Sequence, residues 1–215
     1  MRSTMNVIFD FGGVLCMPQD KERLKKIFGL CGLPFDELYR LYQAGRSDLD
    51  RGSISGAEYW SRILSAGSVQ PTPDLLTLLD NEDALGWTRI NAPMLAWAEE
   101  LRAAGHSTAI LSNMPTDTLA FMRREHSFDW ISRFNVALFS CELGLLKPEP
   151  TIFRLCMAKL AAAPESCIFI DDTLENVEAA AALGMGVIHF RSAVQAGQVA
   201  NREWGLPIRS LSEPI

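Results

Sequence analysis

Residues 6–16 read NVIFDFGGVLC. Val7, Ile8 and Phe9 form an unbroken apolar run that ends on a carboxylate, Asp10, and is followed by two glycines, Gly12 and Gly13. A run that is apolar at every position, not at alternate ones, belongs to a strand covered on both faces, as parallel strands are. A charge at its end does not serve packing. In open α/β sheets the crevice outside the carboxyl ends of the strands is where ligands bind, so Asp10 stands where chemistry is done. Gly12 and Gly13 let the backbone turn sharply and approach a ligand closely, and the N–H groups of such a turn can face an anion.

Four further runs of the same kind lie along the chain: STAILSN (107–113), NVALFS (135–140), CIFID (167–171) and GVIHF (186–190). Helical segments separate them. The segment 92–105 has Pro93 in its first turn and Gly105 just past its end, 147–163 starts after Lys147, and 173–184 stops at Gly184. Alternating strands and helices predict an α/β fold, a Rossmann-like, doubly wound parallel sheet. The rhythm breaks between about 18 and 85, where no strand pattern appears. Amphipathic helix patterns fill that stretch at 20–30, 35–45, 55–64 and 73–85. The expected organisation is a core from 1–17 and 86–215 with a helical cap subdomain, 18–85, inserted after the first strand. The hinge between them is expected near 16–20 and 84–92.

The chain of 215 residues is 48% hydrophobic and 21% charged, enough to bury a full core. A formal net charge of -6 offers no basic face for a phosphate backbone, which argues against nucleic acid as partner. No window is apolar for long enough to span a membrane. Asp10 interrupts the N-terminal apolar run too early for a signal peptide. The five cysteines, at 16, 31, 141, 156 and 167, show no metal-binding spacing and are expected as free thiols in a reducing, cytoplasmic compartment. The five tryptophans (60, 87, 97, 130 and 204) are expected in the core, and the chain as a monomer or homodimer.

Three strands end on polar residues: Asp10, Ser112 with Asn113, and Asp171 with Asp172. Two carboxylates about 4 Å apart repel by roughly 1 to 4 kcal/mol at effective dielectrics of 80 to 20. A gathering of Asp10, Asp171 and Asp172 therefore calls for a cation. An all-oxygen set without His or Cys suits a hard ion, and magnesium fits best. Asp171 and Asp172 equally suit a turn that caps the following helix, and only their pairing with Asp10 shifts the balance. Ser112 and the amides after it form a candidate anion site at a helix start, although Ser112 would serve as an N-cap just as well. Lys147 is the one basic residue between a glycine-containing loop and a proline-started helix, a place where most lysines are simply solvated.

Taken together, FDFGGVL (9–15), LSN (111–113), LKPEPTIF (146–153) and FIDDTLENVEAA (169–180) resemble, in order and spacing, the four motifs of the haloacid dehalogenase superfamily. The helical insert resembles that superfamily's cap of the first type. The first motif is similar to the D-x-G-[GN]-V subgroup, which includes sugar-phosphate phosphatases. The resemblance implies a magnesium-dependent phosphatase acting on a small phosphorylated metabolite. Asp10 would be the nucleophile that becomes an aspartyl-phosphate. Ser112, Asn113 and the turn at Gly12 and Gly13 would hold the phosphoryl oxygens, and Lys147 would offset negative charge. Asp10, the Gly12 carbonyl, Asp172 and Asp171, directly or through water, would hold the metal.

The superfamily's phosphatases carry a second Asp, the general acid and base, where this chain has Gly12. Such a group is typically worth about 10² to 10⁴ in rate. The proton would come from water, from an insert residue such as Asp20, or be dispensable for a good leaving group, so a steep dependence on leaving-group pKa is expected. The gap opens two alternatives. One is a module that binds a phosphorylated ligand without turning it over. The other is a 2-haloacid dehalogenase, which resembles this chain in its nucleophile but carries an aromatic residue at the position of Gly12 and lacks the paired acids. Arg40, Arg46, Arg51, Tyr39 and Tyr42 are candidates to reach a substrate from the insert.

Overall fold

The computed structural model describes residues 4–211. Five strands form one wholly parallel sheet: β1 (Asn6–Phe9), β2 (Ser107–Ser112), β3 (Val136–Phe139), β4 (Cys167–Asp171) and β5 (Gly186–His189). Their spatial order is β3-β2-β1-β4-β5. The chain therefore winds outward from β1 in both directions, as a doubly wound sheet does. Each strand lies within one residue of its expected bounds. In register, Phe9 pairs with Ile110 on one side and Ile170 on the other. The first residue beyond β1 and the last of β4 thus come level at the carboxyl edge, and the Asp10 amide donates to the Ile170 carbonyl at 2.9 Å.

Both faces of the sheet are covered, which is why the middles of its strands are apolar without alternation. Val7 and Phe9 point into one core with Trp97 and Leu101 of α6 (Ala92–Ala103), and Ile8 points into the other with Phe153 of α9 (Pro150–Lys159). The first layer also holds α7 (Thr116–Arg124) and α11 (Ala193–Trp204), and the second holds α10 (Leu174–Ala182). A single helical turn, α8 (Ser140–Leu143), follows β3. Truncating a side chain as deep as fully buried Ile8 to alanine costs about 2–5 kcal/mol.

Between β1 and α6 the chain forms helices α1 (Lys21–Gly29), α2 (Phe35–Ala44), α3 (Arg46–Asp50), α4 (Gly56–Ala66) and α5 (Pro73–Leu85). They enclose a hydrophobic core of their own around Ile27, Phe28, Leu38, Trp60 and Leu79. Four of the five match the sequence patterns. The fifth, α3, is too short to show a period. The N-caps are conventional: Asp20 accepts from the Glu22 amide, Ser55 from Glu58 and Thr72 from Leu75. The two chain crossings to this insert run side by side, with the Met17 amide bonded to the Arg89 carbonyl (2.7 Å) and the Asn91 amide to the Leu15 carbonyl (2.9 Å).

Candidate active site

Three carboxyl groups meet at the carboxyl edge of β1 and β4. Ligand oxygens of Asp10, Asp171 and Asp172 lie within 4.8 Å of one another. Asp10 and Asp171 are buried, and Asp172 is exposed. Lys147 arrives on the loop before α9, and its ammonium lies between two of them, 2.8 Å from Asp10 Oδ1 and 2.7 Å from Asp171 Oδ2. Only 4% of Lys147 is exposed, so this is no solvated surface lysine. Asp171 also accepts from the Thr173 amide at 2.8 Å and from Asn176 Nδ2 at 3.1 Å. It is at once the turn acceptor at the start of α10 and the partner of Lys147.

Lys147 is held by its backbone as well. Asn113 Nδ2 donates to the Lys147 carbonyl and the Lys147 amide donates to Asn113 Oδ1, both at 2.9 Å. The Asn113 side chain therefore ties the loop of the lysine to the end of β2. Ser112 is buried beside it, its hydroxyl directed to the Asn113 carbonyl at 3.3 Å. It does not cap α7, whose cap residue is Pro115 with no side-chain bond. Gly13 adopts φ of +75°, and a Cβ there would stand 2.2 Å from Asp172 Oδ2. The glycine thus makes the space that the third carboxylate occupies. A Cβ on Gly12 would meet the Trp87 ring at 3.1 Å.

Charge explains how these groups behave. One ammonium faces two buried carboxylates. Burial pushes Asp10 from 3.8 up to about 7, with the neighbouring Asp171 adding to the rise and Lys147 opposing it. Asp172, although exposed as a residue, is raised as well, first by partial desolvation of its carboxyl and then by Asp171. Lys147 sits above its ordinary value because Asp10 and Asp171 outweigh the cost of burying its charge. The acids carry more negative charge than Lys147 neutralises, and every donor is oxygen. That combination fits a hard divalent cation.

The acids open into a cavity of about 620 Å³ between the sheet edge and the insert, lined on the core side by Ser112, Asn113 and Lys147 as well. Of the insert residues considered from the sequence, Tyr39, Tyr42 and Arg46 line it. Arg40 is exposed and does not. Arg51 turns to the core instead, pairing with Glu149 at 2.5 Å and donating to the Gly144 carbonyl at 3.0 Å. Asp20 is exposed, occupied as the cap of α1, and outside the cavity lining. Trp60, Trp97 and Trp130 are buried as expected, but Trp87 lines the cavity. All five cysteines are free.

Sequence reasoning missed Asn176 and Ser140. Asn176 lies five residues after Asp171, in the first turn of α10, and its side chain reaches back to the strand end. Ser140 directly follows β3, as the first residue of α8, and accepts the Met114 amide at 2.8 Å. Its position at a strand terminus was the one available signal.

Residues 4–184 match the haloacid dehalogenase-like hydrolase family. The chain belongs to that family. Among curated relatives, it is 28% identical over 208 residues to bifunctional epoxide hydrolase 2 of Rattus norvegicus, covering 87% of this chain and 36% of the relative. It is 26% identical over 158 residues to the sesquiterpene phosphatase astK of Aspergillus oryzae, covering 67% and 79%. The chain thus spans about a third of the length of the three mammalian epoxide hydrolases it matches, 36% in each case. A haloacid dehalogenase family enzyme of Bacteroides thetaiotaomicron, solved with magnesium and inorganic phosphate, superposes with a TM-score of 0.73 at 23% identity, over 88% of this chain and 95% of that one. The chain is a hydrolase by family. No helix among the described residues is long and apolar enough to cross a membrane.

Proposed function

We propose that this hydrolase is a magnesium-dependent phosphatase that cleaves a small phosphorylated metabolite through an aspartyl-phosphate on Asp10. The observation that carries this reading is the buried Lys147 ammonium shared by Asp10 and Asp171, with Asp172 beside them. An anionic nucleophile meets an anionic phosphoryl group only where positive charge is concentrated, and here Lys147 together with a bound cation would supply it. The relative described as a phosphatase and the neighbour solved with magnesium and phosphate support the same reading.

Asp10 and Asp172, with the Gly12 carbonyl, would hold the ion, and Asp171, whose oxygens already serve Lys147, Thr173 and Asn176, would act on it through water. When bound, the ion supplies positive charge that neutralises the acids and the phosphoryl oxygens. Asp10 attacks phosphorus. Lys147 keeps the Asp10 carboxylate ionised and aimed, and the Ser112 hydroxyl with the amides at the start of α7 receives the equatorial oxygens. Helices α1–α5, residues 18–85 with their connections, act as a cap. They close the cavity over the substrate and exclude water, with the paired crossings at 16–20 and 84–92 as hinge.

The dehalogenase alternative is weaker on physical grounds. A dehalogenase resembling this chain lacks the paired acids because it requires no metal, whereas here Asp172 joins Asp10 and Asp171 and adds charge that a cation would offset. The test is hydrolysis of p-nitrophenyl phosphate with magnesium by wild type beside Asp10→Asn. Magnesium-dependent turnover lost in the variant is the expected result. No turnover by wild type, with a magnesium-induced rise in melting temperature, would replace the phosphatase by a phospho-ligand binding module.

A further inference from the structure

Three carboxyl groups line the cavity: Asp10, Asp172 and Asp50. The first two belong to the acid cluster. Asp50 comes from the opposite wall, as the last residue of α3 in the insert.

Its backbone is anchored to the reacting corner. The Ser140 hydroxyl donates to the Asp50 carbonyl while its oxygen accepts the Met114 amide at 2.8 Å, directly after the Ser112–Asn113 pair. Asp50 is therefore tied, through one serine just after β3, to the loop that would receive the phosphoryl oxygens.

Its side chain is the loose end of a charged network. Arg46 Nε faces Asp50 Oδ1 at 3.0 Å and Arg46 Nη1 faces Asp83 Oδ2 at 2.9 Å. Asp83, on α5, also accepts from Tyr42 at 2.6 Å and Gln19 at 2.7 Å, so its oxygens are fully engaged as a carboxylate. Asp50 Oδ1 has the Arg46 charge contact but no hydrogen-bonded partner among the described residues. One guanidinium thus serves two acids, buried Asp83 and half-buried Asp50, and the surplus negative charge is best relieved by a proton on the less engaged of them. The groups facing Asp50 are Arg46 on its own helix, Asp83 from α5 and Lys147 from the core. Burial pushes its carboxyl above the ordinary range and Asp83 adds to this, while Arg46 and Lys147 oppose.

We propose that Asp50 is the general acid and base of the reaction, supplied by the insert in place of the group that Gly12 removes from the first strand. The assignment rests on the phosphatase reading. In the first half-reaction an Asp10 oxygen bonds to phosphorus, the bond from phosphorus to the leaving oxygen breaks, and the Asp50 proton passes to that oxygen, which departs as an alcohol. In the second, the Asp50 carboxylate takes a proton from water as the water oxygen bonds to phosphorus. The acyl-phosphate bond breaks, inorganic phosphate leaves, and both Asp10 and protonated Asp50 are regenerated. Substrate and water give alcohol and phosphate with no other reactant.

The experiment compares kcat/KM of wild type, Asp50→Asn and Asp50→Glu on p-nitrophenyl phosphate and on n-butyl phosphate, with magnesium. Leaving-group protonation matters only for the alkyl ester. Asp50→Asn is expected to lose about 10² to 10⁴ on n-butyl phosphate and less than tenfold on p-nitrophenyl phosphate, and to lose the basic limb of the wild-type pH profile. Asp50→Glu, which keeps the carboxyl, should restore that limb, and it carries the test if the Asn variant does not fold. An equal loss on both esters, or none on either, overturns the assignment. In that case the phosphatase reading survives, because wild type still turns over the aryl ester. A wild type inert toward both esters refutes the phosphatase reading itself.

Discussion

Replacing Asp10 by Asn should stabilise the metal-free protein, and the effect should grow with pH. The nearly isosteric amide removes the charge that Lys147, already 2.7 Å from Asp171, cannot fully neutralise. A carboxyl raised from 3.8 to about 7 binds its proton more tightly in the folded state than in the unfolded one. Below pH 4 it is neutral in both states and costs nothing. As the pH climbs from about 4 to 7 the unfolded chain gives up the proton first, so stability falls over that window and levels off above it. At about 1.4 kcal/mol per pH unit the loss amounts to about 4 kcal/mol. For a chain of this size, that is a fall in melting temperature of roughly 8–16 °C. The assay is thermal unfolding in EDTA from pH 4 to 8, wild type against Asp10→Asn. Taking the difference cancels titrations common to both, such as that of Asp80, which burial and then Asp117 also push to about 7. The variant should be level with wild type near pH 4 and well above it at pH 8. Parallel curves would show that Asp10 bears no uncompensated charge, and the argument for a cation at this site would fail with it. Magnesium at about 100 times its dissociation constant should return about 2.7 kcal/mol to the wild type.

Two other perturbations probe the supports of the site. Asn113→Ala removes both 2.9 Å hydrogen bonds to the Lys147 backbone. It should cost about 1–3 kcal/mol for the polar groups left unpaired, read as a lower melting temperature, and lower kcat more than it raises KM. An unchanged kcat would show that the lysine needs no such anchor. Gly13→Ala sets a Cβ against Asp172 at φ of +75°, a conformation costing a non-glycine residue about 1–3 kcal/mol. Its magnesium-induced melting shift should shrink or vanish, and a full shift would exclude Asp172 as a ligand.

Much of this protein was legible in one dimension because its strands are buried on both faces. Val7 to Phe9 and Cys167 to Ile170 carry no alternation to confuse, and polar residues at their ends narrow to ligands or caps. Asp10, Asp171 and Asp172 could be named together because a parallel sheet brings all its carboxyl ends to one edge, but they meet only because β1 and β4 are neighbours, which the fold decides. Helices were marked by starts and stops that act locally: Pro93 and the glycines at 105 and 184.

Folding alone decided how the charges pair. Lys147 looks like any loop lysine until the chain places it between two carboxylates from strands lying side by side. Asn113 looks like an N-cap until its amide is found clasping a backbone 34 residues away. Helix α3 is five residues long, too short for a hydrophobic period, and it carries Asp50 and Arg46, whose partners come from α5 and from beyond β3. Local sequence determined the elements and the acids at their ends, since backbone conformation and strand burial are short-range properties. Protonation and solvent exposure depend on which charges meet in a low-dielectric space. Only the packed tertiary structure could set those.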